Sequence, residues 1–365
     1  MTIERVCLYF GIEGQTYNLK KRRSQMKRLG LFLIAIFTAT LLLSVMAPLP
    51  VSAEEVKLNY ANFPPAPTFP CVQMERWKTE VEKRTNGKVL VNTFPGGTLL
   101  DAKNMLDGVI AGQADIGCLC MAYQPGRFVV TNAVSLPLNI SSARVGSLVL
   151  WDLWYKYQPD EFKAVKVLAM FTTAPTNIMS KVPIRNLNDL KGLPIRASGV
   201  AAQILGAWGA NPVGMPMPET VEALQKGVVK GLFSSLESMK DFKFAETCKY
   251  VTLTDAGGIY PFAVVMNQQR WEKLPEDVKK VMEDLRVEQS EWTGNYMDNH
   301  VKESMTWSVN TQNVEVIKLS AAEKSAWDAK LQVITDKWIE EAKAKGLPAE
   351  AIVKDMKMAI KKYSK

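Results

Sequence analysis

Between Asn188 and Gly231 the chain spells strand, helix, strand, helix with little between them. Short apolar strands each followed at once by a helix bury their apolar sides only in a layered sheet, so the stretch commits the chain to α/β construction. The first strand carries Arg196, and Ser198-Gly199 opens a helix. Gly209-Ala210-Asn211-Pro212-Val213 leads into a second strand, and a further helix holds Glu219 and Glu222 in its first turn. An arginine at a strand end beside a cleft offers a planar fork of donors that matches a carboxylate or a sulfonate. The competing reading is a surface arginine paired with an acid.

The rest of the chain follows the same style. Val56 to Ala61 alternates as a strand and leads through a turn rich in Pro64, Pro65, Pro67 and Pro70. A helix follows with Cys71, Met74, Trp77 and Val81 on one face, closed by Thr85-Asn86-Gly87. Lys88 to Phe94 reads as a strand, Asp101 to Gly112 as a helix and Asp115 to Met121 as another strand. Residues 141–158 read as a helix, and Lys166–Phe171 and Asn177–Ser180 as strands leading into a second lobe. Pro275 with Glu276 and Asp277 opens a helix reaching about Asn310, the early acids suiting its dipole. Trp292, Tyr296, Met305 and Trp307 on it read as packing positions. Residues 321–364 read as two amphipathic helices broken at Gly346-Leu347-Pro348.

A chain of 365 residues with 47% hydrophobic content has material for one large or two ordinary domains. Its formal charge of +8 is concentrated at the start: residues 1–53 hold seven Lys/Arg against two acids, leaving 38 against 35 for the remainder. That near balance gives no clustered basic face for nucleic acid. Residues 31–47 form a long apolar run preceded by Met26-Lys27-Arg28 and followed by Val51-Ser52-Ala53, the pattern of a secretory signal cut after Ala53. A retained anchor is the competing reading, which about 17 apolar residues barely satisfy. Met26 reads as the natural start of that signal, with the preceding residues as an upstream extension. The exported protein is then residues 54–365, periplasmic and not membrane-spanning.

Cys118 and Cys120 lie two apart in an apparent strand, where no normal bridge closes, so buried free thiols are expected, with Cys71 and Cys248 of the same kind. The single histidine, His300, stands far from any zinc-like spacing, and no metal or cofactor is expected. A periplasmic hydrolase is the alternative of another class. No Gly-x-Ser-x-Gly elbow supports it, and i,i+3 acids such as Glu219 and Glu222 are ordinarily a solvated face.

The motifs Asp189-Leu190-Lys191-Gly192, Arg196, Gly209-Ala210-Asn211-Pro212, Glu219 and Ala223-Leu224-Gln225 resemble those of the solute-binding subunits of TRAP transporters, the DctP-type periplasmic receptors for organic acids. Residues 82–88, Phe94-Pro95-Gly96-Gly97, Pro125-Gly126-Arg127-Phe128 and Ser135-Leu136-Pro137 resemble the same family, which extends the match from about residue 56 to the late 340s.

The resemblance implies an α/β, two-lobe periplasmic binding protein of Venus-flytrap form, with hinge-crossing strands and a long helix shared by both lobes. Lobe 1 is expected over about 54–165 with parts of the C-terminal region, and lobe 2 over about 166–310. It implies a bidentate grip of Arg196 on the ligand's anionic group, with Thr176, Phe233, Ser234, Phe63 and Tyr123 completing the pocket. The partners implied are a small organic anion and the membrane permease subunits; no catalysis is implied. Dicarboxylate members carry a second arginine and an acid-asparagine pair at positions that here fall near Thr176 and on Phe233-Ser234, and Lys230 replaces the turn's Asp. A small, singly charged acid, carboxylate or sulfonate, is therefore expected, with a dicarboxylate or keto acid as the alternative.

Overall fold

Two separate sheets take up the strands, and the chain passes between them more than once. The computed structural model describes Met26, residues 55–254 and residues 256–365; the apolar run 31–47 and the cut after Ala53 lie outside the described residues. Val56–Asn62 (β1), Val89–Phe94 (β2), Ile116–Cys120 (β3), Val165–Thr172 (β4) and Pro261–Asn267 (β10) form the first sheet, in the order β2-β1-β3-β10-β4. β1, β2 and β3 are parallel and joined through helices, as parallel neighbours require, whereas β10 runs antiparallel to both β3 and β4. The second sheet holds Asn177–Ser180 (β5), Pro194–Arg196 (β6), Asn211–Val213 (β7), Gly231–Ser234 (β8), Tyr250–Leu253 (β9) and Glu315–Lys318 (β11), ordered β11-β9-β5-β8-β6-β7. The fold is thus α/β with two lobes. The strand expected to lead into the second lobe, over Lys166–Phe171, belongs instead to the first sheet, and the second begins at Asn177.

Two segments carry the chain across side by side, residues 173–176 after β4 and residues 256–260 before β10. They are tied by backbone bonds from Thr173 N to Tyr260 O (3.0 Å) and Thr176 N to Gly258 O (3.0 Å). Tyr260 N donates to Thr173 Oγ1 at 2.9 Å, and Thr176 Oγ1 donates to the Gly257 carbonyl at 2.9 Å. Gly258 has φ +65°, and a Cβ there would stand 3.0 Å from Thr176 Oγ1, so the close pairing of these strands favours glycine on both counts.

The helix expected from Pro275 extends over Glu276–Gln312, 37 residues, about 55 Å at 1.5 Å per residue. It packs on β4 and on the helices Phe69–Arg84 and Ala143–Tyr157 of the first lobe, and on Ser238–Asp241 of the second. Its buried face changes character along its length, from Val278, Met282 and Leu285 to His300, Ser304 and Ser308. At mid-helix, Gly294 brings it against the start of Ala143–Tyr157, where Asp298 accepts from the backbone N–H groups of Ala143 (2.7 Å) and Arg144 (3.1 Å). A Cβ at Gly294 would meet Arg144 Cα at 2.5 Å and Arg144 N at 2.8 Å, both backbone atoms that cannot yield. Gly294→Ala gains up to about 1 kcal/mol of helix propensity but overpacks a junction at a cost of about 1–3 kcal/mol. The expected result is a net lower urea midpoint at unchanged m-value; a raised midpoint would show that the junction relaxes freely.

Some boundaries differ from the sequence pattern for local reasons. The helix expected over Asp101–Gly112 is only Met105–Ile110, because Asp101 Oδ1 accepts from the N–H groups of Lys103 (2.8 Å) and Asn104 (3.0 Å) and holds the preceding turn. The C-terminal region forms three helices, Ala321–Asp328, Gln332–Ala344 and Ala349–Tyr363, not two. The extra break coincides with Trp327, whose carbonyl accepts from the indole of Trp208 at 3.1 Å while the two rings lie 4.7 Å apart. Cys71, Cys118, Cys120 and Cys248 are free and buried. Burial pushes the thiols of Cys71, Cys120 and Cys248 up to about 12, which leaves them without thiolate character at neutral pH. Among the described residues no helix is long and apolar enough to cross a membrane.

Candidate functional site

Arg196 ends β6, a three-residue strand held between β7 and β8. Ile195 beside it faces the core, and alternation turns Arg196 the other way, toward the first lobe. The side chain has no exposure at all. Its Nε and Nη2 donate to the Met215 carbonyl at 3.0 and 2.7 Å, and Nη2 also donates to the Tyr123 hydroxyl at 3.0 Å. The rings of Tyr123 and Tyr260 flank the guanidinium, their centroids 5.8 and 5.6 Å from Cζ. Nη1 is buried with no partner, and among the described residues no carboxylate forms an ion pair with Arg196. The surface-pair reading of this arginine therefore fails. A guanidinium held out of water without a counter-ion is costly, and an anion delivered to Nη1 removes that cost.

This geometry changes the expected grip. Both Nη2 hydrogens are engaged by the protein, so the fork of Nη1 and Nη2 is not free to take both oxygens of one carboxylate. The second donor is instead Tyr123, whose hydroxyl accepts from Arg196 Nη2 and from Met217 N (3.1 Å) and keeps its own hydrogen for a ligand, with the weakly accepting Cys120 sulfur as its competitor. Burial raises the Tyr123 and Tyr260 phenols above their ordinary values, so both stay protonated at physiological pH. Arg196 Nη1 and the Tyr123 hydroxyl together make a two-residue anion clamp.

The clamp opens on a cavity of about 30 Å³ lined by Phe63, Phe69, Tyr123, Met217, Ser234 and Tyr260, with Phe262 and Phe242 adding two more aromatic walls. Of the residues singled out in the sequence, Arg196, Tyr123, Phe63 and Ser234 meet here. Thr176 and Phe233 do not. Thr176 lies in a crossing segment, its hydroxyl spent on the Gly257 carbonyl, and the Phe233 ring packs on Trp208 with centroids 5.4 Å apart. The sequence reading missed Tyr260, which lies just past the Gly257-Gly258 pair and bridges the site by accepting from Ser198 N (3.2 Å) and donating to the Phe233 carbonyl (3.1 Å).

It also missed an acidic end. Glu237 and Asp241 line the same cavity. Glu237 is 4% exposed and its Oε2 has no partner. Asp241 Oδ1 lies 2.6 Å from His300 Nε2, which comes from the long helix, while Asp241 Oδ2 has no partner. The hydrogen bond to Asp241 raises the His300 pKa against an opposing effect of burial. A lone acid among small and apolar residues, Ser234-Ser235-Leu236-Glu237-Ser238-Met239, was the available sequence signal.

A wider hollow of about 470 Å³ lies on the other side of Tyr123 and Ser198, walled by Phe128, Val129, Val200, Met215 and Trp338. Its charged groups, Lys103, Glu341 and Lys345, are exposed. It holds no desolvated charge to orient an anion, so the chemistry lies with the smaller cavity. Among the described residues, no group of three or more His, Cys, Asp or Glu is placed to hold a metal ion.

Two lobes joined by paired crossing segments, with a buried arginine between them, define a solute-binding protein of the periplasmic type. The family model for DctP, bacterial extracellular solute-binding protein family 7, matches residues 64–342, and the chain belongs to that family of TRAP solute-binding proteins. It is 57% identical to a TRAP periplasmic solute-binding protein from Desulfovibrio salexigens, with a TM-score of 0.76, covering 85% of this chain and 97% of that one. That protein was solved as an open complex with the C-terminus of a symmetry mate in its ligand-binding site. A marine metagenome TRAP protein specific for aromatic acid ligands, solved with 3-hydroxybenzoate, is 30% identical with a TM-score of 0.81, covering 85% of this chain and 99% of that one. The C4-dicarboxylate-binding periplasmic protein of Rhodobacter capsulatus is 24% identical over 319 residues, 84% of this chain and 93% of its own.

Proposed function

We propose that this protein is the extracytoplasmic receptor of a TRAP transporter for a small organic acid with a single anionic group, a carboxylate or a sulfonate, which it delivers to the membrane permease. The exported form begins at Glu54, after removal of residues 1–53. The observation that carries the reading is Arg196: fully buried, unpaired with any acid, and with Nη1 free on the cavity. Arg196 is also the one cation in that lining, and the other charged residues there are Glu237 and Asp241. A second carboxylate on the ligand would meet like charge, which disfavours a dicarboxylate. The aromatic acid held by the metagenomic relative, and the chain terminus held by the Desulfovibrio protein, are both compatible with a clamp for one carboxylate.

A cavity of about 30 Å³ has room for a water or two and not for an organic acid, so the lobes separate to admit one. Bending at residues 173–176 and at the stretch before Pro261 supplies that motion. A thermal-shift screen of monocarboxylates, sulfonates and dicarboxylates tests the reading. A true ligand at about a hundred times its Kd adds roughly 2.7 kcal/mol of stability and shifts the melting temperature by several degrees. The matching small-angle scattering profile is expected to change on ligand addition. Shifts confined to dicarboxylates, or a profile indifferent to a saturating ligand, would overturn the proposal.

A further inference from the structure

The cavity has two chemically opposite ends. At one stand Arg196 Nη1, unpartnered, and the Tyr123 hydroxyl; at the other stand Glu237, with the Ser235 hydroxyl beside its carboxyl, and Asp241. Glu237 Oε2 and Asp241 Oδ2 have no partner. Glu237 is 4% exposed, and the Asp241 side chain is equally buried. Buried polar atoms without partners are rare because each forfeits its hydration. Here residues carrying unpartnered atoms of both kinds line one small space, on separate elements: β6 for the donor arginine, and the turn and helix after β8 for the acids. Between them the walls are rings, Phe63, Phe242, Tyr260 and Phe262.

We infer that the cleft reads its ligand from both ends: with the anion on Arg196 and Tyr123, a hydrogen-bond donor on the far side of the same molecule, a hydroxyl or an ammonium, is taken by the carboxylates of Glu237 and Asp241. The inference rests on the single-anion reading above and narrows it to acids carrying such a donor across an apolar body. An ionised carboxylate accepts and cannot donate, so an acid whose far end is only apolar, or carries only an acceptor, leaves both oxygens unsatisfied. Asp241 Oδ1 already has His300 as a partner, whereas Glu237 Oε2 has none.

Burial, with Asp241 beside it, pushes the Glu237 carboxyl up to about 7, so it accepts fully above that pH and loses the capacity below it. The other titratable and charged groups facing it are Asp241, Arg196, the neutral phenols of Tyr123 and Tyr260, and His300 on the long helix with Glu303 behind it at 3.5 Å. The His300 pKa is raised as well, by its hydrogen bond to Asp241, so pH alone does not assign the effect and a substitution must.

Calorimetry on the mature chain at pH 8 with benzoate, 3-hydroxybenzoate, 3-(aminomethyl)benzoate, 3-methoxybenzoate and isophthalate separates the outcomes. The expected result is at least about tenfold tighter binding of the hydroxyl or the aminomethyl acid than of benzoate or the methoxy acid, the factor a hydrogen bond to a charged group supplies. Whichever of the two gains more names the donor. That advantage is expected to shrink at pH 6, and to collapse below about threefold in Glu237→Gln and in Asp241→Asn, whatever those variants do to benzoate itself. Arg185→Ala, a surface change, should retain it. If benzoate binds and neither donor improves on it, or if the advantage survives both substitutions, the inference is wrong while the single-anion reading stands. Isophthalate binding best would also overturn it, in favour of a protonated Glu237 donating to a second carboxylate. If none of these acids nor any other single-anion acid binds, the single-anion reading falls and this inference falls with it.

Discussion

Replacing Arg196 by alanine is expected to weaken binding of the protein's acid by about 30- to 4000-fold, the equivalent of roughly 2–5 kcal/mol for one partner lost from a desolvated charge pair. The upper part of that range is reachable because the side chain has no exposure and no protein acid to fall back on. Its loss removes the counter-charge and also leaves the Met215 carbonyl without its two guanidinium donors. Arg196→Lys is expected to fail nearly as badly. A lysine ammonium could reach either Met215 or the ligand as a point charge, but it cannot hold the carbonyl and Tyr123 with one edge while offering the other to the anion. Arg185→Ala is the control, with a side chain 54% exposed and paired to Glu315 at 2.6 Å on the surface; its effect should be within about twofold. The measurement is calorimetry with the acid that gives the largest thermal shift, on variants first confirmed to melt cooperatively. An Arg196→Ala Kd within about threefold of wild type, near 0.65 kcal/mol, is too small for a buried anion clamp and would remove this residue from the site.

The parts of this architecture that local rules control were legible in the sequence. The strand carrying Arg196, the helix after Ser198 and the strand after it stand at Pro194–Arg196, Gly199–Ala207 and Asn211–Val213. Cys71, Met74, Trp77 and Val81 occupy the buried face that their spacing foretold. What failed was neighbour logic on a strand. Phe233 and Ser234 were both expected in the pocket, yet adjacent residues of a strand point to opposite sides, so Ser234 faces the cavity and Phe233 goes to Trp208. Thr176 was expected there because it precedes a strand of the second lobe; the crossing segments take its hydroxyl for their own pairing. Tyr260 and His300 reach the site through a second crossing and a helix that spans both lobes, over distances in sequence that no periodicity records. The acidic end is of the same kind, since Glu237 and Asp241 face Arg196 only once β8 and β6 are neighbours in the sheet.

The other large effect is expected at that acidic end, in stability. His300→Ala strands the Asp241 carboxylate, whose side chain is 4% exposed, against a cavity with no replacement donor. Removing one member of a buried pair costs about 3–5 kcal/mol, and the lower end applies because the His300 side chain retains 10% exposure. The pH dependence separates this from a plain packing loss. Asp241 raises the His300 pKa above 6.5 in the folded protein, so folding favours the protonated imidazole. That contribution is fully present below pH 6.5 and is lost as pH rises through the raised folded value. The stability difference between wild type and His300→Ala is therefore expected to be greatest near pH 6 and to shrink toward pH 9. Glu237 acts in the same direction in both proteins, because a carboxyl raised from 4.5 to about 7 by burial binds its proton more tightly folded than unfolded, and stability falls as pH climbs between those values. His300 itself lowers the Glu237 pKa, so the two groups are coupled, and the comparison is repeated with Glu237→Gln in both backgrounds to leave the difference to His300. Urea unfolding of both proteins at pH 6, 7.5 and 9 measures it. A penalty that is flat or grows with pH would mean that His300 contributes shape alone, and that Asp241 finds its compensation elsewhere.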